Sequence, residues 1–318
     1  MNLLPPILVI LLYALPAWSW GYLGHRTSAL LASRFLRRPA ARNIRQLLKP
    51  TSLVSAATWA DNYSHSPEGR YSAGWHYIDA KDDPPTRCEI NYSRDCSKDS
   101  GCIISAIKNH TARAVDLSIE WEERQKSLKW VIHFLADVHQ PLHTEDLLKG
   151  GNGIEVLWHG HPRNLHSVWD SAIAEKMRGG KSIRHAVEWA TELEMLIKGG
   201  KWGDEVEVME KWGQCLDLET PEDCAVHWAE GANQWVCDYV LPKDYPEGLN
   251  GTELSEGYYE GAIEIVERQM AMAGWRMAQW LNKMFDPLSE HGLRDETPSI
   301  VENALEQVKE FFGFGWEL

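Results

Sequence analysis

Trp130 to His143, WVIHFLADVHQPLH, threads titratable side chains through an otherwise apolar run. Helical periodicity puts His133 and Asp137 one turn apart on the same face, where imidazole and carboxylate can grip one cation between them. Trp130, Val131, Ile132, Phe134, Leu135, Ala136 and Val138 make the surrounding surface apolar nearly all round. Such a helix is buried, and a buried histidine–aspartate pair needs partners. Pro141 cannot continue the helix, so His143 emerges in the following turn with a different outlook. A single pair of this kind usually reads as a core histidine satisfied by hydrogen bonds. The spacing recurs at His166 and Asp170 in NLHSVWD (164–170), again on an apolar background, and the repetition favours a polynuclear metal site.

The chain has 318 residues, 44% of them hydrophobic, enough for one large core. No linker, low-complexity run or internal repeat divides it. Lys+Arg number 32 against 46 Asp+Glu, a net charge of −14, which excludes a general basic surface for nucleic acid. A phosphate substrate would have to be drawn by bound cations or a local site. Sixteen tryptophans suit a helical core in which each indole N–H needs a partner.

Residues 3–17 are almost wholly apolar, and Ala17-Trp18-Ser19 places small residues third and first before a cut after Ser19. Residues 1–19 therefore read as a secretory signal peptide, although the usual basic start is missing. An uncleaved membrane anchor is the lesser alternative, because the stretch is short and Pro5, Pro6 and Pro16 interrupt it. Cleavage there makes Trp20 the first residue of the mature chain. Cys88, Cys96, Cys102, Cys215, Cys224 and Cys237 form no CxxC motif and fit three disulfides in an oxidising compartment. Sequons at Asn62, Asn91, Asn109 and Asn250 agree with secretion. A glycan on Asn62 would crowd Asp61, which leaves Asn91, Asn109 and Asn250 as the expected glycosylation sites.

Periodicity predicts a helix over 24–36, a small-residue helix over 50–60 that delivers Asp61, and a loop over 62–83 around WHYID (75–79). Residues 88–102 form a polar, turn-rich excursion. Two helices follow over 103–136, then a glycine turn at 150–153 and a small hairpin closing around Gly160 and Pro162. A further helix from Asn164 to Lys176 bears His166 and Asp170. The remainder to Phe285 is helical, with gaps at Gly179-Gly180, Gly199-Gly200 and Pro242 to Gly251. The fold class is mainly α: a single helical domain over 20–285 with metal sites between facing helices. Residues 286–318 form an extension, either an amphipathic helix through Val301, Leu305, Val308, Phe311 and Phe312 or a partly ordered tail.

Zinc takes nitrogen and carboxylate ligands, and a catalytic zinc keeps one position open. His25, Asp61, His76, His133, Asp137, His143, His166 and Asp170 all come from apolar or glycine-rich settings rather than charged runs. Trp20, once freed, would add an α-amine with a reference pKa of about 7.7 to 8.0 and a carbonyl that closes a chelate ring. His139, two residues past Asp137, is expected to support a ligand from behind or to meet solvent. His159 and His161 flank the hairpin turn and are expected to be exposed. His65, His110, His185, His227 and His291 have no matching partner.

WGYLGH (20–25), TWAD (58–61), WHYID (75–79), HFLADVHQPLH (133–143), GGN (150–152) and NLHSVWD (164–170), in that order, resemble the secreted single-strand-specific zinc nucleases of fungi and plants, which share a fold with bacterial phospholipase C. The resemblance covers residues 20–285 and implies a trinuclear zinc site, that is, three Zn2+. Asp61, His76, His133 and Asp137 would hold the first ion and His143, His166 and Asp170 the second. The amine and carbonyl of Trp20, with His25, would hold the third, and Asp137 would bridge the first and third. It further implies that a zinc-bridging hydroxide hydrolyses single-stranded RNA and DNA to 5′-phosphate products, with Asp61 and Asp137 catalytic, and that 3′-nucleotidase activity accompanies this. Tyr77 would stack on a base and Asp79 would hydrogen-bond it. Where the family carries Arg or Lys, three residues after the first aspartate, this chain has Ser64, and Arg70 is the nearest substitute. The family pattern pairs Cys96 with Cys102 and Cys88 with Cys237, which leaves Cys215 for Cys224. The expected partner is single-stranded nucleic acid, met by a monomer with no stable membrane association. The alternatives are a phospholipase C acting on lipid head groups and a non-catalytic secreted zinc-binding protein.

Overall fold

Leu23, Ala29, Leu30, Leu31 and Ala32 give α1 (Tyr22–Phe35) a deeply buried face. It packs between the helices Ile183–Lys198 and Gly257–Phe285 at the centre of a computed structural model that describes residues 20–286. The expected signal peptide and the extension beyond Asp286 lie outside the described residues. Arg38-Pro39 ends the first run and opens α2 (Arg38–Leu48), since proline is tolerated in a first helical turn. The predicted 50–60 helix is two short ones, α3 (Leu53–Ala57) and α4 (Trp59–Ser64), broken at Thr58. Ser52 caps α3 by accepting from the Ser55 N–H. The expected loop over 62–83 is partly helical as well. Its start completes α4, and Arg70–His76 is a 3-10 turn, a tight form that composition rich in serine and glycine does not advertise.

After α5 (Tyr92–Asp95) come α6 (Ile103–Val115) and the central α7 (Trp121–Asp137), which pack together. From Leu128 to Asp137 every residue of α7 is buried, as its apolar circumference requires. Pro141–Thr144 is a 3-10 turn carrying His143. The hairpin pairs β1 (Glu155–Trp158) with β2 (His161–Asn164) in antiparallel register, Trp158 opposite His161. The helix predicted from Asn164 is α8 (Leu165–Ser167), a π turn over Val168–Ala172, and α9 (Ile173–Arg178). Then follow α10 (Ile183–Lys198), α11 (Glu205–Trp212), α12 (Pro221–Trp235) and α13 (Gly257–Phe285), the last roughly 44 Å long at 1.5 Å per residue. A Cβ on Gly274 would come within 2.6 Å of the Leu31 side chain, so glycine is what lets α13 cross α1 so closely.

The structure is mainly helical with one small hairpin among the described residues. Three disulfides join Cys88 to Cys237, Cys96 to Cys102 and Cys215 to Cys224. The expectation for the indoles holds only in part. Trp169 donates to the Tyr258 hydroxyl and Trp280 to Thr111, but the buried N–H groups of Trp20, Trp130, Trp189, Trp202 and Trp228 meet no acceptor among the described residues. Trp130, Trp202 and Trp228 pack against other aromatic rings instead, where ring burial outweighs the lost hydrogen bond.

Candidate metal centre and active site

Asp137, fully buried at the end of α7, is the point on which five elements converge. Its Oδ1 lies 3.2 Å from His25 Nε2 on α1 and 3.7 Å from His143 Nδ1 on the Pro141–Thr144 turn. Its Oδ2 lies 3.0 Å from His133 Nε2, one turn earlier on α7, and 3.1 Å from His76 Nδ1 at the end of the Arg70–His76 turn. Asp61 on α4 completes this side, with Oδ1 3.3 Å from His133 Nε2. On the other side Asp170, in the π turn, meets His143 Nε2 at 3.4 Å and His166 Nε2 at 3.2 Å. Three groups could each hold a metal ion: His25, Asp61 and His133; His76, His133 and Asp137; His143, His166 and Asp170.

Several observations favour cations over a satisfied polar core. His133 Nδ1 is 2.6 Å from the Ala57 carbonyl and His166 Nδ1 is 2.6 Å from the Gly150 carbonyl. Each Nδ1 therefore donates, which aims Nε2 at the carboxylates and, in the neutral ring, makes it the free ligand atom a metal requires. His133 Nε2 also lies only 3.0 Å from His76 Nδ1. Asp137 Oδ1, His143 Nδ1 and Asp170 Oδ2 are buried without a hydrogen-bond partner, a rare condition that a cation would relieve. Burial works against charge on Asp137, yet His133, His143 and His25 hold its carboxyl well below the usual range. Asp61 and Asp170 are likewise lowered against the effect of burial, chiefly by His133 and His166 respectively. The acids thus remain carboxylates, able to bind metal.

Gly150 explains the glycine pair. Its φ is +59°, a left-handed turn, and a Cβ there would sit 2.6 Å from the Leu142 carbonyl and 3.4 Å from His166 Nδ1. Only glycine lets this backbone reach the imidazole it orients. Trp20 is fully buried, and the N–H of the next residue, Gly21, donates to the Asp170 carbonyl at 2.8 Å. The backbone just after Ser19 is thereby tied to the π turn of the centre.

The centre opens on a cavity of about 520 Å³, with Asp61, His76, His143 and His166 among its walls and Tyr77, Asp79, Asp146 and Asn152 nearer the rim. The Ile78 N–H donates to the His143 carbonyl, and the Ile103 N–H to the Tyr77 carbonyl, so the chain leaves the 3-10 turn at Tyr77 and runs extended to Asp79 between the His143 turn and the start of α6. Tyr77 is 40% exposed there. Burial, then the neighbouring Asp146, pushes the Asp79 carboxyl up to about 6. Arg70 is exposed and lines no part of this cavity, whereas Ser64 and His65 do.

The family model described as S1/P1 nuclease matches residues 20–286. The chain belongs to the S1/P1 nuclease family. It is 38% identical to Nuclease S1 of Aspergillus oryzae over 284 residues, which cover 88% of this chain and 97% of that one. It is 31% identical to Endonuclease 2 of Arabidopsis thaliana over 293 residues, covering 88% and 95%. A solved structure of Clostridium perfringens alpha-toxin aligns over 85% of this chain and 66% of its own at a TM-score of 0.38 and 14% identity, too slight a likeness to bear on either protein.

The remaining histidines of this S1/P1-family chain sort by environment. His159 and His161 are exposed. His139 neither supports a ligand nor meets solvent: it is fully buried, its Nδ1 donates to the Leu135 carbonyl, and its Nε2 accepts from Arg276. His110 is buried between Ser127 and Trp130, and burial followed by Arg113 lowers it to about 3. His185 caps α10 with Ser182, and His291 lies outside the described residues. His65 was not among the expected site residues, yet its Nδ1 donates to the Asp61 carbonyl at 2.7 Å and the ring faces the cavity. Its signal was only position, one helical turn after a candidate ligand.

Proposed function

We propose that this chain, cleaved after Ser19, is a secreted zinc-dependent endonuclease that hydrolyses single-stranded RNA and DNA to 5′-phosphate products and also releases 3′-phosphates from nucleotides. The observation that carries the reading is a set of buried histidine–aspartate groups, two of them joined through His133, opening on a cavity whose rim presents an exposed tyrosine ring beside a carboxyl. Nitrogen and carboxylate donors suit zinc. Asp61, His76, His133 and Asp137 would hold one ion; His143, His166 and Asp170 a second; His25 with the Trp20 amine and carbonyl a third, Asp137 bridging the first and third. Bound zinc supplies Lewis acidity toward phosphoryl oxygens and makes a water acidic enough to ionise near neutral pH.

Asp61 and Asp137 stay ionised, so both can serve as carboxylate ligands, and Asp61, which lines the cavity, can orient a water there by accepting its hydrogen bond. Tyr77 offers one π-face, which only an unpaired, unstacked base can cover, and this favours single strands without reading sequence. Asp79 stands beside it to hydrogen-bond a base edge. In the uncleaved chain the Trp20 nitrogen is an amide, so removal of residues 1–19 creates the basic amine. Clustered cations would offset the net charge of −14 for a polyanionic substrate. No described helix is long and apolar enough to cross a membrane.

The test is to sequence the amino terminus of the secreted protein, measure its metal, and incubate it with denatured DNA, RNA, duplex DNA and phosphatidylcholine vesicles, with and without a chelator. We expect Trp20 first, three zinc equivalents, and chelator-sensitive cleavage of the single strands. Cleavage of vesicles alone, or no chelator-sensitive cleavage from mildly acidic to neutral pH, overturns the reading. Tyr77→Ala should raise KM roughly tenfold or more with little change in kcat, the scale of one lost base stack.

A further inference from the structure

Asp82, Glu145 and Asn233 bring three unsatisfied oxygens together outside the histidine-rich centre. Glu145 follows the turn that carries His143, Asp82 lies on the segment after Asp79, and Asn233 comes from α12. Glu145 and Asn233 are only 3% and 1% exposed. Each of the three makes one ordinary hydrogen bond. Glu145 Oε1 accepts from the Leu147 N–H at 2.8 Å, Asp82 Oδ2 from the Glu89 N–H at 3.0 Å, and Asn233 Nδ2 donates to the Thr144 carbonyl at 2.8 Å. The second oxygen of each, Glu145 Oε2, Asp82 Oδ1 and Asn233 Oδ1, is buried with no hydrogen-bond partner. The Asp82 carboxyl is within hydrogen-bonding reach of both other side chains.

Buried oxygens so placed need a proton or a cation among them: burial, then Asp82, pushes the Glu145 carboxyl up to about 8, so a proton shared by the two acids is the state that a cation would displace. Turning the Asn233 amide does not supply it, because Oδ1 would then oppose the Thr144 carbonyl. No lysine or arginine among the described residues forms a salt bridge with either acid. We infer that Asp82, Glu145 and Asn233 bind a hard divalent cation, Ca2+ by preference, with waters completing its shell. An all-oxygen donor set with two carboxylates and an amide carbonyl selects such an ion, whereas the imidazole-rich groups nearby select zinc. The ion joins three separate segments: the one descending from Asp79, the one carrying His143, and α12. The Cys88–Cys237 disulfide links that first segment to the π turn Val236–Val240 that continues from α12, so the two cross-links brace the wall that bears Asp79.

Titrating the zinc-loaded protein with calcium chloride, followed by calorimetry and by the thermal midpoint, tests this. One Ca2+ should bind beyond the zinc, and the midpoint should rise by several degrees. Asp82→Asn should weaken Ca2+ binding at least about tenfold and abolish the rise, with zinc content unchanged. If that variant cannot be recovered, Asn233→Ala provides the same comparison. Absence of Ca2+ binding to the parent protein would mean that the two acids share a proton instead, and Ca2+ binding that survives both substitutions would place the ion elsewhere on an acidic surface. Either result overturns the assignment.

Discussion

His133, one turn from the end of α7, and His139, just past that end, are six residues apart, both fully buried, and electrostatically opposite. Burial disfavours a charged imidazole in each. At His133 the carboxylates of Asp137 and Asp61 reverse that effect and raise the pKa well above its ordinary value. At His139 burial prevails and the Arg276 guanidinium adds to it, outweighing the hydrogen bond to the Leu135 carbonyl, so the ring is neutral and its pKa falls well below. Arg276 also lies over the Trp228 ring, which stacks against His139. Burial alone does not distinguish a ligand from a packing residue. What distinguishes them is the sign of the charge brought up from other parts of the chain.

Removing the negative side of this contrast should have the largest effect. Asp137→Ala deletes the carboxylate shared by His25, His76, His133 and His143, and should lower hydrolysis of denatured DNA by roughly a thousandfold or more together with metal content. Full activity in that variant would reduce Asp137 to a packing residue like its neighbour. A change on the positive side should be felt in stability instead. His139→Ala leaves a cavity and a buried guanidinium without its acceptor, at a cost of about 3 kcal/mol in urea unfolding, while the metal content stays as before. Loss of metal in that variant would erase the distinction between the two histidines.

The smallest effect separates the metal floor from the rim. Asp79, held up to about 6, is protonated below that pH and can donate to a base; above it, the carboxylate can only accept. Binding of a mononucleotide should therefore change severalfold across an inflection near pH 6, and Asp79→Asn should flatten it. Persistence of the inflection in that variant would assign it to a histidine of the centre.

Much of this was legible from local pattern. Helical spacing joined His133 to Asp137 and His166 to Asp170, the apolar circumference of 130–138 announced a buried helix, and Gly150 marked a turn. Local pattern failed where geometry departs from an ideal period. Asp170 sits in a π turn, Thr58 divides a helix that composition would run through, and the tight turn at Arg70–His76 hides in a stretch that reads as loop. Arg70 was close in sequence to the centre, but that turn leaves it exposed, while His65 faces the cavity because α4 carries on past Asp61.

By itself the amino-acid order determined a helical, disulfide-bonded S1/P1-family chain and the residue types of its centre, because helix periodicity and metal-ligand chemistry act over a few residues. Only the tertiary structure decided that His139 faces Arg276 rather than a carboxylate, and that Asp82, Glu145 and Asn233 come within reach of one another with a buried, unpartnered oxygen on each. Those outcomes depend on which distant segment packs alongside, and electrostatic fields act through space, whatever the separation along the chain.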